Sequence, residues 1–215
     1  MSFDRVAPYY DALARLVFGK SIRRAQCHFL SEIPPEARVL VVGGGTGWLL
    51  PHLLRQPEVA HITYLETSSA MLTRAQQKIN QFGKQPVASV NFIHGDEYCL
   101  TTETFSVIIT NFVLDMYEGT ALDEFVRTLA GHLACGGIWL FTDFRFSTQK
   151  RHRWWQYLMA NTMYLFFHLT TGIARQKLPP YHQHFIKQGF QTTREQAFFY
   201  DFIISRVYGQ SRPTG

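Results

Sequence analysis

The stretch Val39–Leu50, VLVVGGGTGWLL, constrains the fold of this chain more than any other. Four β-favouring apolar residues, Val39 to Val42, run without polar alternation into Gly43-Gly44-Gly45-Thr46-Gly47. Such a run is the signature of a strand buried on both faces, as in a parallel sheet. The glycines allow the backbone to turn sharply and to approach a ligand with no Cβ in the way. A helix starting at Trp48 would aim its unpaired N–H groups and positive dipole end at the same spot. Strand, glycine loop and helix together predict a cradle for a nucleotide-like ligand.

Spacing narrows the ligand. In a dinucleotide fingerprint, G-x-G-x-x-G, the third glycine would fall on Trp48, where an indole blocks close packing. A phosphate loop needs Gly-Lys-Ser/Thr, and this stretch has no lysine. The pattern that fits is G-x-G-x-G at Gly43, Gly45 and Gly47. Within VLVVGGGTG it resembles the first motif of the class I methyltransferases that use S-adenosyl-L-methionine (SAM). The phrase FDRVAPYYDAL, from Phe3, is similar to the N-terminal helix of the quinone- and lipid-type members. The resemblance implies an α/β, Rossmann-like, seven-stranded and mostly parallel sheet with helices on both faces and a C-terminal antiparallel hairpin. It also implies SAM as cofactor, with Gly43, Gly45 and Gly47 around it and Tyr9 closing over it.

In chain order, helices are expected over Tyr9–Phe18 and Ile22–Leu30, with Gly19 as the cap between them. After the glycine loop a helix is expected over Trp48–Arg55, with Pro51 confined to its first turn. Strand two, Ile62–Glu66, ends on an acid that can accept both hydroxyls of a ribose. The resemblance gives Glu66 that role. Thr67-Ser68-Ser69 then caps a helix over Ala70–Phe82. Strand three leaves through Gly95-Asp96, which resembles the family's adenine site; Asp96 is the expected adenine ligand and Glu97 its competitor. Strand four, Phe105–Thr110, ends at Asn111-Phe112-Val113-Leu114-Asp115, beyond the carboxyl end of the sheet where ligands bind. Enzymes that methylate base amines of DNA usually carry Asn/Asp-Pro-Pro-aromatic here, and Asn-Phe-Val-Leu disfavours that subclass. A helix over 121–133, a Cys135-Gly136-Gly137 turn and strand five over Ile138–Phe141 follow.

One position departs from the family. An acid usually stands two residues before the first glycine and helps bind the methionine end of SAM; here that residue is Val41. The amino group of SAM then needs another partner, for which the Asn111 carbonyl and Asp115 are the candidates.

Residues 145–188 are read as a helical insertion and 3–30 as a helical cap, within one domain spanning 1–215. A basic run from Arg145 to Arg153 leads into Trp154–Ile173, a segment apolar nearly all round. It is expected to form a lid over an apolar or aromatic small acceptor, with Asp115, Trp155, Met159 and Phe166 on the substrate side. A peripheral membrane helix with a basic flank, or a homodimer contact, is the alternative reading. Gln191–Tyr200 and Phe202–Tyr208 form the final hairpin.

Composition bears on partners and compartment. Hydrophobic residues make up 46% and aromatic ones 15%, with 18 Phe, which suits an aromatic-lined pocket. The net charge of +5 permits anionic partners, but the basic residues fall in short runs with no nucleic-acid recognition module. The three cysteines are scattered without metal spacing; they suit a reducing cytoplasm and predict no metal site. No secretion signal is read at the N-terminus. His152, His168, His182 and Asp143 could serve as bases, but each is better explained as a surface or packing residue, and no catalytic residue is assigned. The sequence thus predicts a SAM-dependent methyltransferase acting on a small acceptor. A non-catalytic SAM-binding protein and an RNA-modifying enzyme are the alternatives.

Overall fold

The computed structural model describes residues 18–81, 88–147, 149–171 and 178–210, with the backbone alone at 150 and 162–171. Tyr9, its helix and the side chains of Phe166 and His168 therefore lie outside the described residues. Seven strands form one sheet: β1 (Ala37–Val42), β2 (Val59–Glu66), β3 (Ser89–His94), β4 (Phe105–Asn111), β5 (Leu133–Phe144), β6 (Phe190–Phe198) and β7 (Ile203–Gln210). Their order is β3-β2-β1-β4-β5-β7-β6. The first five are parallel, and β7 runs antiparallel to both β5 and β6.

The apolar run of β1 divides with period two between the sheet's faces. Val39 and Val41 join one core with Leu50, Leu53, Ile62, Tyr64, Leu72 and Ala75. Leu40 and Val42 join a second with Leu122, Phe125, Trp139, Phe141 and Phe185. The helices Leu50–Leu53 and Ser69–Asn80 thus cover one face, and Gly119–Ala130 and Tyr181–Lys187 the other. Trp139 is fully buried, and its indole N–H donates to Thr110 Oγ1 at 2.9 Å, so its one polar atom is satisfied.

Three expectations need correction. The helix after the glycine loop is only Leu50–Leu53, with Pro51 in its first turn. The Cys135-Gly136-Gly137 turn does not precede β5 but sits inside it as a bulge. Phe105 pairs with Leu133 and Val107 with Ile138, and Gly136 has φ +74°. The segment expected over 154–173 is a helix over Lys150–Thr171, and among its described side chains the apolar ones are not all on the buried side. Leu158 is 63% exposed and Trp154 68%, whereas Gln156 is fully buried. The Gln156 amide accepts from Ser147 N at 2.8 Å and donates to the Tyr200 carbonyl at 2.9 Å. It grips the β6–β7 turn, where Phe199, Tyr200 and Asp201 all adopt positive φ, at 48°, 53° and 68°. Arg145 holds the same turn, donating from Nε to Asp201 Oδ1 at 2.9 Å. A polar clamp on a strained turn, together with the packing of Trp155, Met159 and Ala160 against Phe144 and Phe202, sets how this helix faces the sheet. Among the described residues no helix is long and apolar enough to cross a membrane.

Candidate functional site

Parallel strands deliver their carboxyl ends to one edge of the sheet, and the chain reverses its order between β1 and β4. A cavity lies along that edge. It runs from Gly95-Asp96-Glu97 beyond β3, past Leu65-Glu66-Thr67 at β2 and the loop Val41–Thr46 at β1, to Asn111-Phe112-Val113 at β4. Gly43, Gly45 and Gly47 all have positive φ, at 61°, 62° and 75°, matching the spacing read from the sequence.

Gly44 needs its missing side chain for another reason. A Cβ there would lie 2.2 Å from the Tyr64 ring, which is fully buried beneath the loop. The Tyr64 hydroxyl donates to the Gly45 carbonyl at 3.0 Å, so the ring both fills the space under the loop and fixes its curve. Tyr64→Phe is expected to cost about 1 kcal/mol of stability, the worth of one such hydrogen bond. Equilibrium urea unfolding measures it, and an unchanged midpoint would show that the loop does not rely on that bond.

Glu66 ends β2 with its side chain buried in the cavity wall. Its Oε2 accepts from Gly45 N at 2.8 Å and its Oε1 from Ser68 N at 2.9 Å. Both oxygens are thereby oriented, and each keeps a second lone pair for another donor. Ser68 caps the following helix, accepting from Met71 N at 3.2 Å, as its place before the helix predicts. Asp96 accepts from Tyr98 N at 3.2 Å and opens a short 3-10 turn. Its neighbour Glu97 is buried, and that burial pushes its carboxyl above the usual range.

At the β4 end, Phe112 has φ +56°, an uncommon conformation for a bulky residue. Met116, Tyr117 and Phe125 extend the cavity wall there, and the Tyr117 and Phe125 rings stack at 4.3 Å. Sequence reading missed these three, although Tyr117 and Phe125 follow strand four closely. Asp115 is not among the lining residues. Its carboxyl neighbours that of Asp143, and burial raises the Asp115 pKa to about 6. Asp143 is fully buried, and its carboxyl lies well above the usual range through burial and then the charge of Asp115. Its oxygens accept from Leu114 N at 3.2 Å and Phe144 N at 2.8 Å. It ties the turn after β4 to the end of β5.

Trp155 and Met159 do not reach the cavity lining. They pack with Phe18, Phe144 and Phe202 in a third cluster, which Phe112 joins from the cavity side. His152 and His182 are also absent from the lining. The N-terminal side is closed by the helix Ser21–Cys27, from which Ile22, Arg23 and Gln26 enter the wall. The Arg23 guanidinium lies 5.1 Å from the centroid of Trp48. Among the described residues no group of three or more His, Cys, Asp or Glu is placed to hold a metal ion.

The chain resembles methyltransferases in sequence and in fold. Residues 40–139 fit the family model described as a methyltransferase domain. A phosphatidylethanolamine N-methyltransferase of Cereibacter sphaeroides is 35% identical over 122 residues, which are 54% of this chain and 57% of the relative. A malonyl-[acyl-carrier protein] O-methyltransferase of Bacillus cereus is 29% identical over 159 residues, 70% of this chain and 54% of the relative. The chain spans about half the length of these curated relatives. Among solved structures, the Burkholderia thailandensis 1,6-didemethyltoxoflavin-N1-methyltransferase, with its acceptor and S-adenosylhomocysteine bound, superposes with a TM-score of 0.69. That match has 14% identity and covers 97% of this chain and 86% of the other. The fold is the class I, Rossmann-like methyltransferase fold. Over residues 40–139 the chain is thus similar to methyltransferases, and the solved structures it superposes on include ones that hold S-adenosylhomocysteine.

Proposed function

We propose that the protein binds SAM in this cavity and transfers its methyl group to a small apolar or aromatic acceptor. The observation that carries the reading is the continuous groove from Asp96 through Glu66 and the glycine loop to Asn111. Left-handed glycines at Gly43, Gly45 and Gly47 let the loop backbone approach the ligand. Glu66, already oriented by two backbone N–H groups, accepts from the ribose hydroxyls, and Asp96 accepts from the adenine amino group.

SAM supplies an electrophilic methyl on a sulfonium, so the protein's share of the rate is chiefly positioning in line. The acceptor side is walled by Phe112, Met116, Tyr117 and Phe125. These offer flat, apolar contact, and the only cationic side chain in the described lining is Arg23. That lining favours a small aromatic acceptor over a polyanion such as RNA. Trp155 and Met159 act on that side indirectly, by backing Phe112 and Phe144, and the helical insertion belongs to the same single domain.

Calorimetry tests the reading. The protein is expected to bind SAM and S-adenosylhomocysteine and to ignore NAD; binding of NAD without SAM would overturn the proposal. Glu66→Ala should weaken SAM by about 2–4 kcal/mol, because it strips a charged bidentate acceptor from the ribose and frees the Gly45 N–H. Unchanged affinity would remove Glu66 from the site.

A further inference from the structure

We infer that the exposed face of the helix Lys150–Thr171 docks the protein on an anionic phospholipid surface, with Trp154 and Leu158 entering the headgroup layer and Arg151 and Arg153 pairing with lipid phosphates. None of these four residues lines the cavity, so the role of this face does not depend on the cofactor reading.

Charge along the chain is uneven. From Phe144 to Arg194 the sequence holds eight Lys or Arg and no Asp or Glu, whereas the rest holds 13 basic residues against 16 acidic ones. The whole excess of positive charge therefore belongs to one stretch, and a molecule so polarised turns that side toward an anionic surface. Within the stretch the cations are not equivalent. Arg145 pairs with Asp201 and Glu195, Lys187 with Asp123, and Arg194 with Glu32. Arg151 and Arg153 pair with no acid among the described residues. Arg151 Nε donates to Gln149 Oε1 at 3.1 Å, and Arg153 Nη2 to the Tyr157 hydroxyl at 3.3 Å.

Apolar exposure is uneven too. Among the described residues six large hydrophobic side chains are exposed, and four of them, Trp154, Tyr157, Leu158 and Tyr200, gather here. Arg151, Trp154 and Leu158 follow one line along the helix, and Arg153 and Tyr157 the line beside it. Tyr200 joins from the β6–β7 turn, its ring 5.7 Å from that of His152. The opposite side of the helix is committed to the protein through Gln156, Met159 and Ala160. A helix packed on one side and carrying arginines among Trp, Leu and Tyr on the other fits the boundary between water and lipid. There the rings settle at headgroup depth, and the arginine stems lie along them with their charges at the phosphates. Other partners answer only part of this. A second copy placed face to face would set Arg151 and Arg153 against their own counterparts. Nucleic acid would engage the arginines and the rings, but Leu158 can neither stack on a base nor pair with a phosphate.

Sedimentation of the whole chain with vesicles tests the inference. Binding is expected to vesicles of mixed phosphatidylglycerol and phosphatidylcholine, and not to phosphatidylcholine alone. Replacing both arginines, Arg151→Gln with Arg153→Gln, should weaken partitioning about thirtyfold, roughly fivefold for each charge, and added salt should weaken the wild type likewise. Trp154→Ser with Leu158→Ser should weaken it at least about tenfold. Both double variants should keep the wild-type melting temperature and S-adenosylhomocysteine affinity, because these side chains project into solvent. Equal binding to the two kinds of vesicle, or wild-type partitioning by either double variant, would overturn the inference. So would a wild type that ignores the vesicles, whether it forms a dimer that the Trp154 and Leu158 changes dissociate or binds RNA through the two arginines.

Discussion

Replacing Gly47 with valine is expected to reduce S-adenosylhomocysteine affinity at least a hundredfold, about 3 kcal/mol, and to lower the melting temperature. Two independent obstacles add. The residue has φ +75°, a region that a β-branched side chain adopts only under strain. Its Cβ would also lie 2.7 Å from the Ala75 Cβ and 2.8 Å from the Ala75 Cα. That second contact is helix backbone, so no side-chain rotation relieves it. Either the Ser69–Asn80 helix moves away from the loop or the loop lifts from the helix, and each displaces the backbone beneath the ligand. Calorimetry together with a thermal melt decides the matter; a variant that binds like wild type would show that the loop does not set the site.

Asp143→Ala should cost about 3 kcal/mol or more of folding stability, near 10 °C in melting temperature for a chain of this size. The carboxyl is fully buried and accepts from the backbone N–H groups of Leu114 and Phe144. Removing it strands both donors in a dry environment and frees the turn that holds Phe112 in its left-handed conformation. The pair with Asp115 adds a pH signature. Burial raises the Asp115 carboxyl to about 6, above its unfolded value of 3.8, so between those values the folded chain holds more protons than the unfolded one. Stability is therefore greatest on the acid side and falls as pH rises through that window, and Asp143 extends the fall to higher pH. Asp115→Asn is expected to flatten the decline, worth at most ~3 kcal/mol. Melting temperatures between pH 4.5 and 7.5 check this, and an unchanged slope would take Asp115 out of the pair.

The parts of the site legible in the sequence are those with a local cause. The glycines of the β1 loop need left-handed backbone, and such positions announce themselves by residue type. Glu66 was legible because it ends an apolar strand, and Ser68 because caps are read from their own side chains. What stayed hidden depends on partners far away in sequence. Gln156 reads as an interruption of an apolar helix, yet it is buried because Ser147 and Tyr200 meet its amide. Leu158 lies in a segment that reads as apolar nearly all round, yet it faces outward because the clamp and the packing of Trp155 and Met159 set the helix's rotation. Asp143 looks like a strand-end acid and turns out to organise another strand's exit.

The position of β7 between β5 and β6 dictates an order of assembly. β6 pairs with β7 and has no rung on β5, so when it leaves the ribosome no partner for its backbone yet exists. The outer edge of β5, from Ile138 to Phe144, stays unpaired until Ile203–Gln210 has been made. The parallel core can form early, but its β5 edge is closed only by β7, slipping in beside β5 and bringing β6 with it. Loss of that strand would leave an apolar, unpaired edge open to any extended chain nearby, and nascent copies held in that state would be the ones most exposed to aggregation.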